Sequence, residues 1–166
     1  ICSSGGRCEK MHIDIDNFNS LDFTSKLPNF NQIYYFASPK IMKDTDITTK
    51  FEQNIYKDFY EKSFKRLVEK VSQSGKRVAF FYPSTSYIDD GPLEFANYVN
   101  AKIAGELLCT KLEATYKNLN ILCRRLPALH TDQNQSLLEN EGAVMCNSEI
   151  ILPLIRQMSK IMNKSD

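Results

Sequence analysis

Tyr98 and Lys102 are the first side chains in this sequence that could carry out chemistry together. They lie four residues apart in a segment predicted to be helical, and this spacing places both on one helix face. An ammonium beside a phenol favours the phenolate, so we expect Lys102 to lower the pKa of Tyr98. Such a phenol can exchange a proton with a carbonyl or alcohol oxygen near neutral pH. Ser84 and Ser86 follow the preceding apolar segment, and either hydroxyl could orient that oxygen. Together these residues indicate a carbonyl reductase or alcohol dehydrogenase.

The tyrosine–lysine spacing indicates little by itself. The chain has 8 tyrosines and 15 lysines among 166 residues. By chance it should therefore contain about 0.7 tyrosine–lysine pairs at a spacing of four residues. The argument therefore depends on the context of the pair. An apolar segment precedes the serines, a helical pattern carries the pair, and a second apolar segment follows and ends in a proline loop.

Short apolar runs and long helical patterns alternate along the chain. The predicted strands are 32–37, 77–82 and 119–124, and the predicted helices are 48–74, 93–117 and 147–162. The continuous apolar runs are typical of parallel strands that are buried on both faces. A shorter alternating pattern over 10–14 predicts one more strand, with Asp14 and Asp16 at its exit, and 84–92 is predicted to be a polar loop. Strands separated by long helices predict a layered α/β fold with a mostly parallel sheet.

Composition limits the class of protein. The chain has 166 residues, 42% of them hydrophobic and 25% charged, with a formal net charge of +1. These values predict a single domain over 1–166 and exclude a strongly basic nucleic-acid binder. No apolar run approaches the length of a membrane span, and the start lacks the apolar core of a signal peptide. Five widely spaced cysteines fit reduced, buried thiols in a cytoplasmic protein and complete no metal-ligand spacing.

In this context the chain resembles the short-chain dehydrogenase/reductase family over about 10–160, most specifically over 77–132. The family's Tyr-x-x-x-Lys reads here as Tyr98-Val-Asn-Ala-Lys102. Its serine is either Ser84 or Ser86, because the usual offset of 13 falls on Thr85. The resemblance implies that Tyr98 donates a proton to a carbonyl oxygen and that the serine holds that oxygen. It also implies that Lys102 lowers the pKa of the tyrosine and binds the ribose of an NADP or NAD cofactor.

The resemblance also suggests cofactor contacts. The loop after Leu126 is similar to the proline-rich turn that holds the nicotinamide amide, which assigns Pro127 and the neighbouring His130 to the cofactor. Ala37 lies where the family's fourth strand ends in an Asn-Ala-Gly turn. The 10–14 segment resembles the third strand, whose terminal acid touches the adenine, so Asp14 or Asp16 would take that role.

The chain departs from the family pattern at two points. Asn54 would match the family's helix asparagine, although it lies a few residues too far from the serine. The glycine-rich turn that binds the pyrophosphate is absent, and the resemblance therefore implies a truncated Rossmann-like fold. Three explanations remain open. In the first, the half of the fold that carries the glycine-rich turn is on another chain or has been lost. In the second, the 10–14 strand pairs directly with the 32–37 strand. In the third, the domain is a non-catalytic relative of the family.

Two functions follow from these expectations. The first is a nicotinamide-dependent oxidoreductase, or its catalytic half, that acts on a small-molecule or acyl carbonyl. The second is a Rossmann-like scaffold or interaction module without catalysis. In either case the helices 48–74 and 93–117 could form a homodimer interface, as they do in relatives, or the chain could associate with a partner that carries the missing half.

Overall fold

The computed structural model describes residues 8–10, 30–44, 50–127 and 147–163. The predicted strand 10–14 lies outside them except for its first residue. Among the described residues, three strands form one sheet: β1 (Gln32–Tyr34), β2 (Val78–Thr85) and β3 (Leu119–Leu126). The order is β1-β2-β3, and both neighbouring pairs are parallel. The predicted parallel sheet of an α/β fold is therefore confirmed.

The predicted helices are also present, with small changes of bounds. The first follows a continuous helical path made of α1 (Lys50–Lys57), a π-helical segment (Asp58–Ser63) and α2 (Phe64–Ser72). A turn follows, in which Gly75 takes a φ of 68°, a conformation that glycine adopts without steric cost. The later elements are a short helix α3 (Tyr87–Asp90), a 3-10 turn (Leu93–Phe95), α4 (Ala96–Thr115) and α5 (Asn147–Asn163). No helix in the described ranges is both long and apolar enough to cross a membrane.

β2 runs further than the sequence indicated. The predicted strand 77–82 ends just before Pro83, but pairing with β3 continues past this proline to Thr85, which lies opposite Leu126. The Ser86 N–H then donates to the Leu126 carbonyl at 2.9 Å. Ser84 is consequently a buried strand residue rather than part of a polar loop, and the remainder of the predicted 84–92 loop contains α3. By contrast, β1 is only three residues long, shorter than the predicted 32–37.

Alternation along β2 sends side chains to the two faces of the sheet. Val78, Phe80 and Tyr82 point to the side that α1, α2 and α4 cover, and this side, with Tyr35, Tyr56, Tyr60 and Tyr98 in its core, is here called the tyrosine face. The other side, which packs on α5, is called the α5 face, and its buried core is Ala79, Phe81, Leu122, Leu126, Leu154 and Met158. The fold thus has helices on both sides of the sheet, as the parallel arrangement requires.

Candidate active site

Residues expected in the site converge where the parallel strands end. The carboxyl ends of neighbouring parallel strands lie at the same edge of a sheet, the usual place for ligands in α/β folds. Ala37 is exposed a few residues after β1, Ser86 is half-buried directly after β2, and Pro127 is exposed directly after β3. The structure therefore places these three predicted residues along one edge. Asp14, Asp16 and His130 lie outside the described residues.

Tyr98 and Lys102 share the buried face of α4, as their spacing predicts. Their exposed fractions are 7% and 5%. The Lys102 Nζ donates a hydrogen bond of 2.7 Å to the Pro83 carbonyl oxygen of β2. It also lies 3.8 Å from the ring centroid of Tyr60 and 5.8 Å from that of Tyr98. The ammonium is thus held among aromatic rings, with one oxygen as its hydrogen-bond partner.

The expected lowering of the Tyr98 pKa does not occur. Burial raises the pKa of Tyr98 to about 12, and a hydrogen bond with the Thr85 side chain opposes this only in part. Burial also lowers the pKa of Lys102 to about 7. Desolvation disfavours the charged form of both groups, and in this water-poor site it outweighs the effect of their proximity. Tyr98 therefore holds its proton at neutral pH.

The Thr85 hydroxyl lies near Tyr98 and was not among the residues predicted to orient the substrate oxygen, which were Ser84 and Ser86. The Thr85 Oγ1 also accepts a hydrogen bond from the Tyr87 N–H at 3.3 Å. The signal was present in the sequence, since Thr85 occupies the family offset of 13, and threonine supplies the same hydroxyl as serine. The Ser86 backbone caps α3, since its carbonyl accepts from the Asp89 N–H at 2.9 Å.

Ser84 lies deeper than Thr85 and faces α4. Its Oγ is buried and makes no hydrogen bond of ordinary geometry with any residue of the described ranges, but it lies near enough to Glu106 to affect that carboxyl. Arg125 contributes most to the lowered pKa of Glu106, and Ser84 adds to the effect. Arg125 donates two hydrogen bonds to the Glu106 carboxylate, of 2.9 and 2.8 Å, and also contacts Asp89. This cluster ties α3 to α4 and β3 beside the hydroxyls.

Asn54 does not reach the lysine. It is exposed on α1, and the next helical turns instead bring the Tyr60 ring onto the Lys102 ammonium. The assignment of Asn54 to the catalytic group is therefore not supported by its position. An asparagine amide has the chemistry that the catalytic role needs, but on α1 this side chain is exposed to solvent. The π-helical segment that follows α1 places an aromatic ring, not an amide, at the lysine.

The cysteines of the described ranges are all free thiols. Cys109 is buried and Cys123 is half-buried, whereas Cys8 is exposed, so the expectation of burial holds for only part of the set. No group of three or more metal-ligating side chains occurs within the part of the chain that the structure describes.

The donor set of Lys102 fits a ligand that carries hydroxyls. An ammonium has three N–H donors, and within the described ranges Lys102 uses one of them, for the Pro83 oxygen. The other two make no hydrogen bond with the described residues, and the ammonium is only 5% exposed among the rings of Tyr60, Tyr82 and Tyr98. The lysine therefore matches sugar hydroxyls in chemical type, while the rings around it separate it from the exposed strand ends.

No protein-family model matches the sequence, and no curated protein does either. Solved structures do match. A 4-hydroxyisoleucine dehydrogenase complexed with NADH has a TM-score of 0.74 at 13% identity, over 92% of this chain and 72% of that one. A short chain dehydrogenase/reductase family protein has a TM-score of 0.70 at 14% identity, over 89% and 68%.

A further match is the 3-oxoacyl (acyl-carrier-protein) reductase of Agrobacterium tumefaciens C58 with NADP bound. It has a TM-score of 0.62 at 14% identity and covers 84% of this chain. This chain spans only 58% of the length of that reductase. At such identities the likeness concerns the fold, and this chain has the Rossmann-like α/β fold of dehydrogenases and reductases that bind nicotinamide cofactors.

Proposed function

We propose that this chain is a nicotinamide-dependent oxidoreductase, or the catalytic part of one, that interconverts a carbonyl and an alcohol on a small-molecule or acyl substrate. The observation that carries the proposal is the shared buried face of Tyr98 and Lys102 on α4, with the Lys102 Nζ 2.7 Å from the Pro83 oxygen near the carboxyl edge of a parallel sheet, where the Thr85 side chain lies near Tyr98. The fold shared with reductases and dehydrogenases supports it.

Each of these side chains has a distinct role in the proposed reaction. A bound NADP or NAD would supply or accept the hydride. Tyr98, protonated at neutral pH because its pKa is about 12, donates its proton to the carbonyl oxygen as negative charge develops there. Thr85 stands in the place of the expected serine and donates a hydrogen bond to the same oxygen. Lys102 stabilises the resulting phenolate and binds the ribose hydroxyls, and Ala37 and Pro127 border the nicotinamide.

The alternative, a scaffold without catalysis, is favoured by one observation. Lys102 is only 5% exposed and lies beneath the Tyr60 ring, so a cofactor has to gain access to its N–H groups. A measurement of cofactor binding distinguishes the oxidoreductase from the scaffold. We expect calorimetric titration with NADPH or NADH to give micromolar binding that Lys102→Ala weakens at least tenfold.

Lys111→Ala is the matched control, because Lys111 lies on the same helix but is exposed, and its removal should leave binding unchanged. Tyr98→Phe should keep the binding and lose about 100- to 10,000-fold in turnover, as expected for removal of a general acid. No binding by the chain up to millimolar cofactor would contradict the reductase and leave the scaffold.

We also propose that the chain works in the cytoplasm as a homodimer through the surface of α1, α2 and α4. Ile103 and Leu107 lie one turn apart on α4 and are 38% and 60% exposed, which gives this surface an apolar centre. Ultracentrifugation should show a dimer that Leu107→Lys dissociates. A monomeric wild-type chain would instead favour association with a chain that supplies the remainder of the fold.

A further inference from the structure

The ammonium of Lys102 is enclosed by aromatic rings. Its Nζ lies 3.8 Å from the Tyr60 ring centroid, 5.3 Å from that of Tyr82 and 5.8 Å from that of Tyr98. A cation over an aromatic face is attracted by the ring quadrupole, most strongly when water is excluded. Tyr60 is 1% exposed and Lys102 is 5% exposed, so water screens this contact very little.

The π-helical segment is what brings Tyr60 to this position. A π-helical turn widens the backbone and leaves carbonyl groups available to other donors. Three consecutive carbonyls of the segment accept hydroxyl groups. Ser63 donates to Asp58 at 2.6 Å, Tyr35 to Phe59 at 2.6 Å and Tyr82 to Tyr60 at 3.0 Å. The first bond closes within the segment, and the other two fix the segment against the sheet.

One further hydrogen bond fixes the side chain of Tyr60 itself. Its hydroxyl shares a hydrogen bond of 2.6 Å with the Ser38 hydroxyl, in the loop after β1. The Tyr82 hydroxyl reaches the Tyr60 carbonyl only because Gly105 of α4 has no side chain. A Cβ at Gly105 would fall on that hydroxyl and lie 2.7 Å from the Tyr82 Cζ. Residues from β2, α4 and the loop after β1 thus combine to hold one ring under one ammonium.

We propose that Tyr60 is a positioning residue whose ring face holds the Lys102 ammonium in place beside Tyr98. The assignment of this role to catalysis rests on the proposed oxidoreductase function. The contact itself does not, and it can be measured in the protein without cofactor or substrate. Tyr60 acts through Lys102 and not by touching the reacting atoms, so its effect is on the charge and the place of the lysine.

Other groups also face the ammonium and share in setting its charge. They are Tyr82 from β2, Cys123 from β3 and, from α4 itself, Tyr98, Glu106 and Cys109. Tyr98 also packs edge-on against the Tyr60 ring, with 5.9 Å between the centroids, so variants that keep the shape of the ring are the ones that isolate the contribution of its face.

The test is the pKa of Lys102, followed through its ε-carbon NMR signal in protein labelled with ¹³Cε-lysine. The signal is assigned by its absence in Lys102→Met. Tyr60→Phe keeps the ring and loses only the hydroxyl, so we expect the pKa to stay within about 0.3 units of wild type, well inside the shift that loss of the ring produces. Tyr60→Leu removes the ring face, and we expect the pKa to fall by about one unit or more.

A second series covers the case in which Tyr60→Leu does not fold. Phenylalanines with one, two and three ring fluorines at position 60 nearly keep the shape of the side chain. Each added fluorine makes the ring face less negative and so weakens the ring quadrupole. We expect the pKa of Lys102 to fall stepwise with fluorination. A constant pKa across this series, or an equal fall in Tyr60→Phe and Tyr60→Leu, would overturn the proposal.

A kinetic measurement separates positioning from a merely structural role. In an active enzyme, the pH profile of kcat/KM for the fluorinated series should shift in step with the lysine pKa, while the unfolding midpoint stays constant. If the pKa shifts and the enzyme shows no turnover at any pH, the contact stands and the proposed oxidoreductase function fails. If turnover is present and the pKa does not shift, only the role of Tyr60 fails.

Discussion

The two faces of the sheet bury side chains of different chemistry. The α5 face is filled by aliphatic side chains and one phenylalanine and has no buried charged group among its core residues. The tyrosine face holds five buried tyrosines together with Lys102 and Ser63. The helices and the π-helical segment supply Tyr56, Tyr60 and Tyr98, whereas Tyr82 lies on β2 and Tyr35 directly follows β1, so helices and strands both make the difference. The α5 face contributes packing, and every candidate catalytic group of α4 lies on the other side.

The difference between the two faces explains why the buried ammonium of Lys102 lies on the tyrosine face. A charge in an apolar environment is costly unless it has partners, and the α5 face offers none. The tyrosine face offers ring faces and a strand carbonyl, and the hydroxyls of Tyr35 and Tyr82 donate to backbone carbonyls instead of binding the ammonium. Burial raises the pKa of Tyr35 and Tyr82 as well, so these phenols stay neutral and serve as hydrogen-bond donors.

The largest expected effect is on the α5 face. Met158 of α5 is fully buried, and Met158→Ala should lower the free energy of unfolding by about 2–5 kcal/mol, because the cavity and the lost apolar contacts both cost stability. Urea unfolding measures this. Met158→Leu, which conserves volume, should cost less than about 1.5 kcal/mol. The loss should be equal at pH 6 and pH 9, and a loss that changed with pH would break the contrast between the faces.

A smaller effect is expected where the tyrosine face is most tightly packed. Gly105→Ala places a Cβ against the buried Tyr82 hydroxyl, and overpacking of this kind costs about 1–3 kcal/mol. Tyr82→Phe removes that hydroxyl, so the double variant should be less destabilised than the two single changes predict by addition. Strictly additive losses in urea unfolding would show that the close approach of these two residues has no energetic consequence.

The smallest effect distinguishes the faces by their pH dependence. The folded pKa of Lys102, about 7, is below its ordinary value of 10.5, so the unfolded chain binds more protons between these values. The free energy of unfolding therefore rises with pH across this window. Between pH 7 and pH 9 we expect this rise to be on the order of 1–2 kcal/mol, and Lys102→Met should abolish it. A rise that persisted unchanged in Lys102→Met would assign the titration to another group.

Much of the framework could be predicted from the local sequence. Apolar runs and helical periodicity located β1, β2, β3 and the long helices, because both signals depend on neighbouring residues only. The end of β2 was predicted wrongly, since a proline was taken as a stop signal, while the pairing with β3 continues past it. Whether a strand continues depends on its partner, and the partner of β2 lies about forty residues further along the chain.

The sequence by itself determined that Tyr98 and Lys102 share one face of a helix, since a spacing of four residues fixes this wherever the helix packs. Only the tertiary structure decided what surrounds them. In the folded chain the Thr85 side chain lies near Tyr98, and Asn54 is exposed to solvent. The Tyr60 ring packs against the Lys102 ammonium. The directions of the two pKa shifts were also decided there, because desolvation depends on how completely distant segments exclude water, and no spacing within one helix contains that information.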